Sequence, residues 1–364
     1  MKKGKVFVGL SGGVDSSVSA ALLKKEGYDV VGVFIKVWQP DFFACTWKED
    51  RRDAMRVAAK LSIPFLTLDL EKEYKKEVID YMISEYEAGR TPNPDIMCNK
   101  YVKFGAFLSF ALKNGADFIA TGHYAQIEKK SSSKVVKYSL LAGIDNEKDQ
   151  SYFLWTIKQE LLPKILFPVG GYRKSMVRTF AKKFDLVTWD KRDSQGLCFV
   201  GKLDIKDFLK HYIKTKKGKL LNEKGEVIGH HEGAVFLTEG ERRGFTVTKG
   251  EQGHSALPQY VVGRDIKKNT ITISPHPQKS ENTSDSVKLK DINLLVGGIK
   301  EGDKFNARTR YREKLLPCVL VKIDVRKKTA EVKFTTQKLA SVGQSLVLYK
   351  KNTCVGGGII TENS

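Results

Sequence analysis

A chain of 364 residues is long enough for two or three domains of ordinary size. Its 63 Lys plus Arg against 42 Asp plus Glu leave a formal charge of +21, which argues against a small neutral substrate and favours a polyanionic partner, nucleic acid or an anionic membrane surface. A hydrophobic share of 41% excludes a disordered chain, and no run of eighteen apolar residues is present to span a bilayer.

The opening Met1-Lys2-Lys3-Gly4 leads into a short apolar run, too short for a signal-peptide core. Lys5 to Leu10 reads as a buried strand and Ser17 to Lys25 as a helix closed by Gly27. Asp29 to Lys36 is a second strand, Glu49 to Leu61 a helix, Phe65 to Leu70 a third strand, and Glu71 to Ala88 a long amphipathic helix. Pro92 and Pro94 predict a rigid loop over 89–100. Lys103 to Lys113 reads as a helix and Asp117 to Thr121 as a fourth strand. Ser131-Ser132-Ser133 reads as a loop tip. Alternating strands and helices imply an α/β fold with a doubly wound, mostly parallel sheet, whose ligand crevice lies at the carboxyl ends of the strands.

Beyond residue 200 the texture changes. Gly201 to Leu220 holds seven Lys against two Asp, and reads either as a solvated helix or, given the net charge, as a contact for a nucleic-acid backbone. Val227-Ile228, Ala234 to Leu237, Gln259 to Val262 and Thr270 to Ile273 are short β-type runs, and Pro275 to Ser286 reads as a linker. Phe305 to Arg312, Pro317 to Val325, Glu331 to Phe334 and Ser345 to Tyr349 suit a small barrel. Domains are therefore expected at 1–200, 201–275 and 287–364.

Two features carry chemistry. Ser11-Gly12-Gly13-Val14-Asp15-Ser16 lies between a buried strand and a helix start, where glycines can aim backbone N–H groups at an anion and the helix adds its positive end. Ser11, Ser16 and Ser17 offer hydroxyl donors, and Asp15 reads as a helix cap or a Mg²⁺ holder. No Gly-Lys-Ser/Thr follows, so the loop is not of the Walker type. The second feature is cysteine. Cys45, Cys98, Cys198, Cys318 and Cys354 are scattered with no CxxC pair, so neither a disulfide framework, a zinc site nor an iron–sulfur cluster is expected, and a reducing cytoplasm follows. Lys100 and Lys191-Arg192 stand near Cys98 and Cys198 and can favour the thiolate, while the other three read as small buried hydrophobes.

The hexapeptide resembles the PP-loop of the ATP pyrophosphatase superfamily. Together with Thr91 to Lys100, Ala120 to Tyr124, Lys148 to Phe153, Asp193 to Gly201, Arg308 to Arg312 and Cys354 to Ile360, the chain resembles the tRNA-specific 2-thiouridylases (the MnmA/TrmU family) over nearly its whole length. The resemblance implies an ATP- and Mg²⁺-dependent replacement of O2 of the wobble uridine by sulfur, with tRNA and a persulfide sulfur-carrier protein as partners, no membrane, and a free enzyme that is a monomer. It implies Cys198 as the persulfide carrier and Cys98 as the nucleophile, which either frees sulfide from the persulfide or resolves the intermediate as a Cys98–Cys198 disulfide. Asp95 reads either as a group that orients or protonates at the uridine ring or as a turn former after Pro94.

For ATP the resemblance implies Gly9, Leu10, Ser11, Gly12, Gly13, Val14, Asp15 and Ser16 around the phosphates, the backbone of Ile35 near adenine, and Gly122 allowing close approach of the nucleotide. For tRNA it implies Asn93, Pro94 and Asp95 at the target base, and His123, Lys148, Asp149, Gln150, Arg310, Tyr311 and Gln344 as further contacts. A strand over Arg308 to Arg312 would put its three arginines on one face, suited to phosphates. Two departures stand out: Gly240-Glu241-Arg242 replaces a family Gly-Gln-Arg, and Val342-Gly343-Gln344 replaces a Pro-Gly-Gln, which leaves the turn before Gln344 less constrained.

Overall fold

The computed structural model describes residues 3–42, 47–132, 135–192, 205–248, 257–276 and 283–363. The first unit opens with β1 (Lys5–Gly9), α1 (Val14–Lys25), β2 (Asp29–Lys36), α2 (Trp47–Lys60) and β3 (Phe65–Asp69). A helical run follows: α3 (Glu71–Tyr74), a π-helical stretch Lys75–Asp80, then α4 (Tyr81–Glu87). A second run joins α5 (Pro94–Met97), a π-helical stretch Cys98–Phe107 and α6 (Leu108–Lys113). With β4 (Phe118–Ala120) and β7 (Ile165–Leu166) the sheet is wholly parallel, in the order β3-β2-β1-β4-β7.

The two-residue period of the strands builds both faces of this sheet. Phe7, Val31, Val33 and Ile35 pack under the run from Glu71 to Lys113. Val6, Val8, Val30 and Phe34 pack under α1, α2 and α7 (Lys174–Lys183). Strand order reverses between β1 and β4, so the crevice at their carboxyl ends is where a ligand belongs. The segment Leu10 to Ser16 and Gly122 sit there.

The helix through Cys98 corrects the expected loop over 89–100. Pro94 occupies the first turn, where its missing N–H has no intrahelical role, and the Asn93 side chain caps by accepting from Ile96 N–H at 3.3 Å. Pro94 therefore starts a helix rather than forbidding one, and Pro92 stays in the loop ahead of its cap.

A hairpin, β5 (Ala125–Ser132) and β6 (Val135–Ala142), leaves the first unit and reaches the barrel. Of the serines expected as a loop tip, Ser131 and Ser132 end β5 in register with Val136 and Val135, and Ser133 lies outside the described residues. The central unit holds α8 (Ile205–Lys210), β8 (Gly218–Leu221), β9 (Val227–His231), β10 (Phe245–Val247), β11 (Tyr260–Asp265) and β12 (Thr270–Ser274). Its sheet runs β10-β9-β8-β12-β11 over a small core with Leu220, Val261, Ile271 and Ile273. Ala234–Phe236 is a 3-10 turn rather than the expected strand: Gly233 enters it at φ +145°, and the turn covers that core with Ala234.

The last unit contains β13 (Thr283–Leu294), β14 (Lys304–Arg308), β15 (Leu316–Asp324), β16 (Thr329–Leu339), β17 (Ser345–Lys350) and β18 (Thr353–Asn363). Pairing of β13 with both β16 and β18 closes these six strands into a barrel. β13 begins inside the span read as a linker. β14 ends at Arg308, so no strand carries Arg310 and Arg312: Glu313 accepts from the Thr309 N–H at 2.9 Å and turns the chain, and Arg312 takes φ +61°. The three arginines consequently face three different ways.

The barrel is anchored to the first unit. β18 pairs with β6 at Thr353 and Leu141. Tyr152 Oη donates to the carbonyls of Thr309 and Ser345 at 3.0 and 2.9 Å. Asn293 Nδ2 donates to the carbonyls of Trp155 and Ile157 at 2.7 and 2.8 Å. No helix among the described residues is long and apolar enough to cross a membrane.

Candidate active site

The glycine loop Ser11 to Ser16 is preformed. Gly12 holds φ +75°, and a Cβ there would meet the Asp50 carbonyl oxygen at 2.3 Å, so only glycine fits. Ser11 N–H donates to Ser16 Oγ at 3.2 Å. Ser16 and Ser17 Oγ donate to the Gly13 carbonyl at 3.1 and 2.7 Å, and both side chains are buried. All three serine hydroxyls expected to face phosphate thus brace the loop: that of exposed Ser11 also meets Ser16 Oγ at 3.1 Å and accepts from the Gly13 N–H at 3.3 Å.

What the loop offers an anion is backbone: Gly13 caps the twelve-residue α1, whose first-turn N–H groups have no acceptor within the helix. Gly122 adjoins the loop itself, since a Cβ there would stand 2.7 Å from Ser16 N. The close approach it permits is strand to loop. The Ile35 side chain is buried in the sheet face, and its backbone is in register with Leu68 of β3. Asp15 accepts from Lys174 Nζ on both oxygens and from Tyr124 Oη, so its carboxylate is engaged by protein donors. A glycine turn, a helix N-terminus and a carboxylate paired with Lys174 fit the phosphates of a nucleotide.

A second region forms where the three units meet, a cavity of about 420 Å³. Asn93, Pro94 and Asp95 supply one wall, Arg310 and Gln344 another, and Glu239 to Glu241 of the central unit a third. Its walls are tied together. Gln344 Nε2 donates to the Thr91 and Pro92 carbonyls at 3.0 and 3.1 Å, and Thr91 N–H donates to the Val342 carbonyl at 2.9 Å. Gly343, at φ +92°, lies so close to Thr91 that a Cβ would meet its carbonyl oxygen at 2.9 Å. The turn before Gln344 is therefore held without the family's proline. Arg310 donates to the Glu239 carbonyl at 2.9 Å and Ser341 Oγ at 3.2 Å. Glu241, the departure in the central loop, faces the cavity and pairs with Lys206 at 2.8 Å. Phe153 also lines it, with Tyr311 packed behind at 4.6 Å between ring centroids. Phe153 closes the Lys148 to Phe153 segment but was given no role from sequence; Thr238 and Glu239 were missed, and no local motif marks them.

Cys98 lies one turn beyond Asp95 on the same helical run, fully buried. Cys198 and Cys45 lie outside the described residues. Cys318 and Cys354 are buried thiols pushed up to about 12 by desolvation, inert as the scattered spacing implies.

The remaining residues expected to touch tRNA sit elsewhere. His123 is 8% exposed, shares a 2.7 Å hydrogen bond between Nδ1 and Thr121 Oγ1, and is held well below the usual histidine pKa by burial and then by Lys103. Asp149 is buried and accepts from Gly143 N–H, Ser151 and Arg308, the last of which also donates to Tyr349 Oη at 2.7 Å. Gln150 Oε1 accepts from the Tyr124 N–H at 3.0 Å, and Lys148 is half-buried in the preceding turn.

Three family patterns match this chain in order. Residues 4–202 match the tRNA methyl transferase HUP domain, 206–275 the tRNA methyl transferase PRC-barrel domain, and 284–360 the aminomethyltransferase beta-barrel domain. A protein of Streptococcus mutans named tRNA-specific 2-thiouridylase MnmA is 42% identical over 365 residues, covering 98% of this chain and 95% of that one. The chain belongs to the tRNA-specific 2-thiouridylase family. The relative from Enterococcus faecalis with the same name is 41% identical over 363 residues, with 98% and 95% coverage. A solved structure of the U34-tRNA thiolase NcsA from Methanococcus maripaludis overlaps 55% of this chain and 63% of its own at 16% identity and a TM-score of 0.36, too loose a likeness to carry an argument.

Proposed function

We propose that this protein is a tRNA 2-thiouridylase that uses ATP, brought with Mg²⁺, to adenylate the C2 oxygen of wobble uridine 34 and then installs sulfur from a persulfide on Cys198. The observation that carries the reading is the cavity that gathers Asn93, Pro94, Asp95, Arg310 and Gln344 from two units, with Cys98 one turn behind Asp95. Residues flanking Cys198 support it. Lys191 pairs with Asp50 and Asp53 at 2.8 and 2.7 Å, next to the carbonyl that packs on Gly12, while Ile205 lines the cavity. Lys191 thus stands near the glycine loop and Ile205 at the cavity.

The chemistry explains why both regions are needed. A urea-like carbonyl oxygen is a poor leaving group, and as an adenylate it departs with AMP after diphosphate has been expelled. The terminal sulfur of the Cys198 persulfide ends on C2, and the Cys98 thiolate takes the Cys198 sulfur. Whether Cys98 acts before or after sulfur reaches the base, the two cysteines finish as a disulfide, and a thiol reductant resets them. Phosphate contacts from the basic surface hold the tRNA, so its affinity falls steeply with salt. The target uridine leaves its stack to enter the cavity.

The test is mass spectrometry of nucleosides from tRNA incubated with enzyme, ATP, Mg²⁺ and a persulfide donor. We expect 2-thiouridine at the wobble position and one AMP and one diphosphate per product, and none with Cys98→Ser or Cys198→Ser. Full activity in either variant refutes the proposed sulfur path, and tRNA binding without AMP release marks a non-catalytic binder.

A further inference from the structure

A loop that gathers phosphates yet carries its own carboxylate poses an electrostatic problem. Asp15 is the charged residue of the hexapeptide and stands in the first turn of α1, where anionic ligand charge is to collect. Lys174 answers it from across the fold. Its Nζ donates at 2.7 Å to Asp15 Oδ1 and at 2.8 Å to Oδ2, and Tyr124 Oη donates to Oδ1 at 2.7 Å. The lysine side chain is 12% exposed and the aspartate 30%, so this pair is shielded well beyond an ordinary surface ion pair.

The ammonium is also fixed in place. Lys174 opens α7, which packs against α1. Its own N–H donates to Asp145 Oδ2 at 2.9 Å, and Tyr124 is bonded through its backbone to Gln150. The same two residues that hold Asp15 therefore lean on the 145–150 turn. A carboxylate needed only as a helix-start residue would gain from the α1 dipole with no such apparatus. Both oxygens bonded to one shielded lysine, with a tyrosine hydroxyl added on Oδ1, indicate that its charge has to be cancelled.

We propose that Lys174 is a positioning residue of the nucleotide site, holding Asp15 fixed and charge-neutral so that the N–H groups of the loop meet a triphosphate without carboxylate repulsion. This rests on the reading of the loop as an ATP site.

The experiment is calorimetric binding of ATP with Mg²⁺, and separately of adenosine, to the full chain. Lys174→Gln should weaken ATP by about 10-fold or more while leaving adenosine unchanged, because only the phosphates feel the exposed carboxylate. Adding Asp15→Asn to that variant should recover most of the loss, and Lys174→Arg should stay within about 2-fold of the parent because it keeps the charge. Lys174→Met, whose unbranched stem still packs by Tyr124, gives the same readout if the glutamine variant does not fold. Unchanged ATP affinity overturns the proposal. So does an equal loss of ATP and adenosine with no recovery from Asp15→Asn, the signature of a purely structural lysine. If the parent chain binds adenosine but gains nothing from the phosphates, the reading of the loop fails and this inference falls with it. Parental phosphate-dependent binding with an indifferent Lys174 sinks the inference alone.

Discussion

Arg308 and Arg310 stand two residues apart at the end of β14, yet they belong to different parts of the molecule. Arg308 is buried and closes a network with Asp149, Ser151 and Tyr349 that seats the barrel on the first unit. Arg310 lines the cavity and, among the described residues, donates from its side chain to a carbonyl and a serine hydroxyl. The difference teaches that a basic cluster in sequence is not one surface. The chain turns at Thr309, and that turn separates a framework cation from one placed to meet a ligand.

The contrast can be broken by experiment. Arg308→Met leaves the Asp149 carboxylate buried without its cation, and should lower the unfolding free energy by about 3–5 kcal/mol, read by denaturant or thermal melting. Arg310→Ala should leave the melting curve near that of the parent and weaken tRNA binding by about 1–3 kcal/mol, read by filter binding at fixed salt. If Arg308→Met keeps parental stability, or Arg310→Ala melts early with tRNA affinity intact, the division between frame and wall is wrong.

A smaller effect concerns His123, framed like Asp149 by internal partners. Burial and Lys103 hold its pKa well below the ordinary value in the folded chain, so the folded state favours the neutral ring. Its contribution is complete above the unfolded pKa of about 6.5 and is lost as pH falls below that toward the depressed folded value. Unfolding free energy should therefore decline in mildly acidic buffer, and His123→Gln should flatten that decline. An unchanged slope would mean the ring is open to solvent protons and free to meet RNA.

The nucleotide crevice was legible because its parts are local: Ser11 to Ser16 follow one strand and begin one helix, and the two-residue period of Val6 to Val8 and Val30 to Ile35 announces a sheet covered on both sides. The helix through Cys98 was not, because a proline reads as a breaker until its place in the first turn is known. The cavity between the units could be assembled from sequence only through resemblance. Its walls come from Thr91 to Asp95, Phe153, Glu239 to Glu241, Arg310 and Gln344, and no spacing rule joins them. Lys174 was invisible for the same reason, since 159 positions separate it from Asp15.

One feature of the barrel reaches further than its own fold. Gly357 lies in β18, where a Cβ would press 3.1 Å from the indole of buried Trp155, whose carbonyl Asn293 also holds. The final strand is thus the bed on which the first unit rests its largest fully buried side chain. A premature stop codon ahead of that strand would not shed a detachable appendage: it would pull the floor from under the segment that carries Tyr152 and Phe153, and the defect would surface far from the missing end.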